Sequence, residues 1–108
     1  MSGLVQWDPK TPTEIVLRYA DFTDELESAE YIQTCTCTAT VWSGNDVSPQ
    51  SIISTINILE NSAGIAAVGT VAVQGGVLGT IYQCVCTGTT NFGHTITKTA
   101  ILAVVPPY

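Results

Sequence analysis

Residues 34–41, TCTCTATV, alternate strictly between threonine and a small apolar residue. Cys35, Cys37, Ala39 and Val41 share one parity, and Thr34, Thr36, Thr38 and Thr40 share the other. A period of two belongs to a β-strand, whose side chains point alternately to opposite faces. A threonine face suits water and a Cys/Ala/Val face suits a core, so the segment reads as a half-buried strand. Ile32 keeps the threonine parity yet is apolar, which predicts a bulge near Gln33.

The same period recurs along the chain. TEIVLRYA (13–20) sets Ile15, Leu17 and Tyr19 against Val16, Arg18 and Ala20. Further strands are expected over 51–59, 65–73, 80–90 and 94–105, about six in all. Turn-forming residues separate them at 43–50, 60–64 and 74–79. Asn91-Phe92-Gly93 reads as a hairpin connection with Gly93 where positive φ is needed. Strands at this short, regular spacing predict a single all-β antiparallel sandwich over residues 13–105. Residues 1–12 are expected as an N-terminal arm and 106–108 as a tail. Only TDELESAE (23–30) has helical character, with Thr23 as an N-cap, and it is too short for a stable helix.

Charge excludes one class of partner. The chain carries a net charge of −6, and its basic residues are Lys10, Arg18 and Lys98. Three cations cannot neutralise a phosphate backbone, so nucleic-acid binding is not expected. The most membrane-like stretch, 64–79, is interrupted by five glycines and is shorter than the ~20 apolar residues of a spanning helix. No basic n-region with an apolar h-region opens the sequence, so synthesis in the cytoplasm without a secretory signal is expected.

Cysteine occurs as two Cys-x-Cys pairs, Cys35/Cys37 and Cys84/Cys86. Zinc sites favour Cys-x₂₋₄-Cys turns, whereas residues i and i+2 of a strand stand ~6.6 Å apart along one face. A metal centre is therefore not expected. Disulfides across the sandwich remain open, and four cysteines allow three connectivities. The preferred reading is four free thiols acting as small core hydrophobes.

No catalytic group of residues emerges. His94 is the single histidine, and no phosphate loop is present. No catalytic, cofactor-binding or metal-ligating residue is assigned. Five of the nine acids (Asp21, Asp24, Glu25, Glu27, Glu30) fall within ten residues, without a calcium-loop pattern. This segment is expected as an electronegative docking edge, with Phe22 and Leu26 tucked under the sandwich. Interface residues are expected at Trp7, Asp8, Asp21, Asp24, Glu25, Glu27, Val105 and Tyr108. Core positions are expected at Tyr19, Phe22, Leu26, Cys35, Cys37, Tyr82, Cys84 and Cys86. Trp42 beside Asn45 and Asp46 is the one trio suited to a host-surface glycan, which would make the chain a ligand-binding or capsid decoration module instead.

Two stretches carry a resemblance. The first contains Asp8-Pro9, Tyr19, Asp21-Phe22, Leu26 and Ile32; the second contains Gly75-Gly76, Gly79, Tyr82 and Asn91–His94. In order and spacing they are similar to the fibre–tail adaptors of tailed bacteriophages. The resemblance implies a small immunoglobulin-like sandwich and a non-enzymatic virion protein present in several copies. Such a protein joins tail fibres or neighbouring tail proteins to the tail or a portal-proximal ring. Tyr82, two residues before Cys84, has the spacing of a tyrosine corner.

Overall fold

The computed structural model describes residues 3–106. Seven strands lie among them: β1 (Gly3–Gln6), β2 (Val16–Asp21), β3 (Ile32–Ser43), β4 (Ile53–Glu60), β5 (Ala66–Val73), β6 (Ile81–Thr90) and β7 (Thr95–Ala103). One sheet has the order β1-β7-β6-β3 and the other β2-β5-β4. Every neighbouring pair is antiparallel except β1 and β7, which run parallel. Among the described residues, helix is limited to two 3₁₀ turns, Thr23–Glu25 and Pro49–Ile52. The chain is all-β. The glycine-broken stretch 64–79 forms β5 and the connection after it.

The two sheets share one core. Cys37, Ala39, Tyr82, Cys84, Cys86, Ile96 and Leu102 come from the larger sheet, and Ala20, Val71 and Val73 from the smaller. Burying one face of each sheet against the other is how two such layers remove their apolar sides from water. On β3 the alternation is realised as expected, with Cys37 and Ala39 buried and the threonines exposed. The register slips between Ile32 and Thr34, where the misplaced Ile32 predicted an irregularity, and Ile32 is thereby buried.

Four expectations are corrected. Residues 3–6 are an edge strand on β7, not a loose arm. Trp7, expected at an interface, is 4 % exposed, and its Nε1 donates to the Tyr19 carbonyl on the other sheet. Its large apolar surface closes the gap between the sheets. Tyr19, expected in the core, is 53 % exposed. Parity on β2 follows Ala20 and Phe22, which are buried, so Ile15, Leu17 and Tyr19 face outward although they are the more apolar set. Arg18 keeps the inward parity at the sheet edge, where its guanidinium donates to the Asp8 and Pro9 carbonyls. Finally, Thr23 lies inside its 3₁₀ turn and does not cap it; Asp21 Oδ1 accepts from the Thr23 backbone N and hydroxyl.

Candidate functional site

The molecule is elongated, 44 × 21 × 19 Å, so its two ends are distinct surfaces. At one end, segments 44–52 and 74–80 pack together through Thr80 Oγ1 to the Asn45 carbonyl and Gln74 N to the Ile52 carbonyl. Lys10 is buried there, its ammonium donating to the carbonyls of Thr11 and Gly75. At the other end meet the β2–β3 loop (22–31), the β4–β5 turn (61–65) and the β6–β7 turn (91–94).

These three connections are tied side chain to backbone. Asn91 accepts from the Tyr31 backbone N at 2.8 Å and donates to the Ala29 carbonyl at 3.2 Å, while its own N donates to the Tyr31 carbonyl. Ala29 takes φ of 67°, a costly conformation for alanine that persists where surrounding bonds hold it. Asn61 folds its own turn by accepting from Ala63 N and Ile65 N, and reaches across to Thr23 Oγ1 at 3.1 Å. Beneath them Phe22 is fully buried. Its ring and Ile32 Cδ1 occupy the space that glycine leaves at Gly88, where a Cβ would stand 3.3 and 3.0 Å from them.

Glu30 is the electrostatic hub of this end. It is 2 % exposed, and its carboxylate accepts from the Glu27 backbone N at 2.9 Å and meets His94 Nδ1 at 2.8 Å. The Thr90 hydroxyl, the Glu27 N–H and His94 hold its carboxyl below the ordinary carboxylate range, against the opposing effect of burial. Glu27, Glu30 and His94 are the one group of potential metal ligands within 4.8 Å of one another among the described residues. Both oxygens of Glu30 already have partners, so the group reads as a clasp between the β2–β3 loop and the β6–β7 turn. The four sulfurs do not close into such a group.

Above the clasp the surface is apolar. Tyr31, Ile65 and Phe92 are exposed, and a pocket of about 210 Å³ opens between Ala29, Glu30, Tyr31, Gly64, Ile65 and Ala66. Small-molecule sites run to roughly 300–1,000 Å³, so this one suits a single side chain. Asp24 and Glu27, on the β2–β3 loop that contributes Ala29 and Glu30 to the lining, are exposed.

The acidic cluster thus divides by role. Asp21, Asp24 and Glu27 face solvent, whereas Glu25 pairs with Lys98 at 2.5 Å and is largely buried. Glu25, expected at an interface, is withdrawn into the fold because Lys98 has inward parity and needs a counter-ion. Asp8 is exposed and Val105 half-buried, its N donating to the Lys10 carbonyl. Tyr108 lies outside the described residues. Leu26 packs on the core, Phe22, Cys37, Tyr82, Cys84 and Cys86 are buried, and Cys35 is half-buried. Of the glycan trio, Trp42 is 61 % exposed but Asp46 is engaged, accepting from Tyr82 Oη at 2.6 Å.

Tyr31, Ile65 and Phe92 were not singled out from sequence, nor was the clasp of Glu30 with His94. Asn91 read only as a turn residue; its second role depends on which loop the fold brings beside it. The chain matches no protein-family model, no curated protein and no solved structure.

Proposed function

We propose that this is a non-enzymatic structural adaptor of a tailed-phage virion, docking tail fibres or neighbouring tail proteins to the tail or a portal-proximal ring. The observation that carries the reading is the cross-tied loop end. Three connections held by Asn61, Asn91 and Glu30 present Tyr31 and Ile65 at a pocket sized for one side chain, with Phe92 exposed on the β6–β7 turn. Loops fixed before contact lose little entropy on binding, and exposed aromatics around a small pocket are what interface anchors use. The exposed acids Asp24 and Glu27 favour a partner with a basic surface. Several copies arranged around a ring would each offer the same patch.

The sandwich is read as immunoglobulin-like. Supporting this are the order β2-β5-β4 against β7-β6-β3, which follows the B-E-D and G-F-C strands of that fold, and a first strand set parallel to the last. Tyr82 at the start of β6 accepts from Val77 N, five residues upstream, as a tyrosine corner does.

Two paired variants test the docking role: Tyr31→Ala with Phe92→Ala, and Asp24→Lys with Glu27→Lys. All four sites are exposed, so both proteins should melt within a few degrees of the parent. Phage assembled with either variant should lack fibres or lack this chain. Fully fibred particles containing the folded variants would overturn the assignment. Deleting residues 1–12 is not a clean test, because it removes β1 and Trp7 from the fold.

A further inference from the structure

All four cysteines lie in one sheet on adjacent strands, Cys35 and Cys37 on β3, Cys84 and Cys86 on β6. A bridge between the sheets is therefore excluded, and the register decides which pair within the sheet can join. Cys37 stands directly opposite Cys86; Cys84 is opposite Ala39 and Cys35 opposite Gly88. Directly opposite residues of an antiparallel pair have Cα atoms about 4.5–5.5 Å apart, inside the range a disulfide spans. Diagonal neighbours are about 7–8 Å apart and exceed it, while residues i and i+2 of one strand, ~6.6 Å apart, sit at its upper limit with parallel Cβ vectors that do not aim their sulfurs at each other. The Sγ atoms of Cys37 and Cys86 are 3.3 Å apart as free thiols. Side-chain rotation alone has to bring them to about 2.05 Å.

We propose that Cys37 and Cys86 are a modification site, forming a reversible cross-strand disulfide that locks β3 to β6 when a small-molecule disulfide is the oxidant. In the first step the Cys37 thiolate attacks one sulfur of the oxidant, RSSR. A mixed disulfide forms and one RS⁻ leaves, taking up the proton lost by Cys37. The Cys86 thiolate then attacks the Cys37 sulfur, forming the bridge and expelling the second RS⁻, which takes the other proton. Two thiols lose two electrons and the oxidant becomes two RSH. β3 is the edge of its sheet, so peeling it from β6 exposes both sulfurs without opening the rest of the core. In the closed state the neighbouring thiols, and then burial, hold both sulfurs protonated, with Cys37 pushed up to about 12. The pair thus resists oxidation until the edge opens, and the bridge then prevents the opening.

The test uses the full chain with excess oxidised glutathione, with and without urea below the unfolding transition. After acid quench and denaturation the free-thiol count should fall from four to two, with a mass loss of two hydrogens. Peptic peptides mapped without reduction should link Cys37 to Cys86. Urea should speed the reaction, and the oxidised chain should melt higher than the reduced one. The variant Cys35→Ser with Cys84→Ser should still close the bridge; Cys86→Ala should yield glutathione adducts and no internal link. Four thiols persisting in urea, or a link mapped to any other pair, would overturn the proposal, and the mapping on the unaltered chain decides even if a variant fails to fold.

Discussion

Single side chains here act mainly by joining segments remote in sequence. Tyr82 is the clearest case: fully buried, it donates from Oη to Asp46 Oδ2 at 2.6 Å and accepts from Val77 N at 2.9 Å. Burial, and then the bond to Asp46, push its phenol up to about 12, while the same bond pulls the Asp46 carboxyl down. Tyr82→Phe keeps the ring and removes both bonds, leaving Val77 N without its partner. A loss of about 1–3 kcal/mol in urea denaturation is expected. Sequence spacing had singled out Tyr82, but not Asp46, which sits 36 residues away in a turn otherwise read as a glycan contact. Glu30 and His94 make the same point: an acid in a charged run and a lone histidine pair only because two loops end together.

At the scale of elements, β1 is the surprise. Four residues, GLVQ, are too short to signal a strand by alternation, and only the parallel pairing with β7 defines it. Trp7 follows directly and secures the element by filling the gap between sheets. Trp7→Ala should cost about 3–5 kcal/mol, as large aromatic truncations in cores do. Amide exchange in β1 and its β7 neighbours should rise with it; unchanged protection would mean that Trp7 does not hold the strand. The other six strands were legible because each is a run of six residues or more, alternating or largely apolar, bounded by turn-forming residues. Which side of β2 faces inward was not legible, since parity divides a strand into two sets without saying which one another sheet will cover.

For the molecule as a whole, the thiols of Cys35 and Cys37 and the phenol of Tyr82 predict an alkaline limit to stability. Folding raises Cys35 to about 11 and Cys37 to about 12 from 9.0, and Tyr82 to about 12 from 10.0, each mainly through burial or bonding to a neighbour. Groups whose pKa rises on folding stabilise the native state fully below their unfolded values and lose that contribution as pH climbs through the folded ones. Stability measured by urea titration under reducing conditions should therefore decline from about pH 9 towards pH 12. Cys35→Ala with Tyr82→Phe should flatten the decline; an unchanged slope would place its origin elsewhere.

Alternation, turn residues and the scarcity of charge were sufficient for an all-β chain, its longer strands and the inward face of β3, because these depend on neighbours one or two positions away. The acidic loop and Phe22 beneath it were visible for the same reason. Tertiary structure alone decided that the two Cys-x-Cys segments are adjacent strands, that Cys37 rather than Cys35 faces Cys86, that Trp7 is buried and that Tyr19 is not. Those outcomes depend on strand order and register, which are set by how two whole faces fit together, and no local pattern carries that choice.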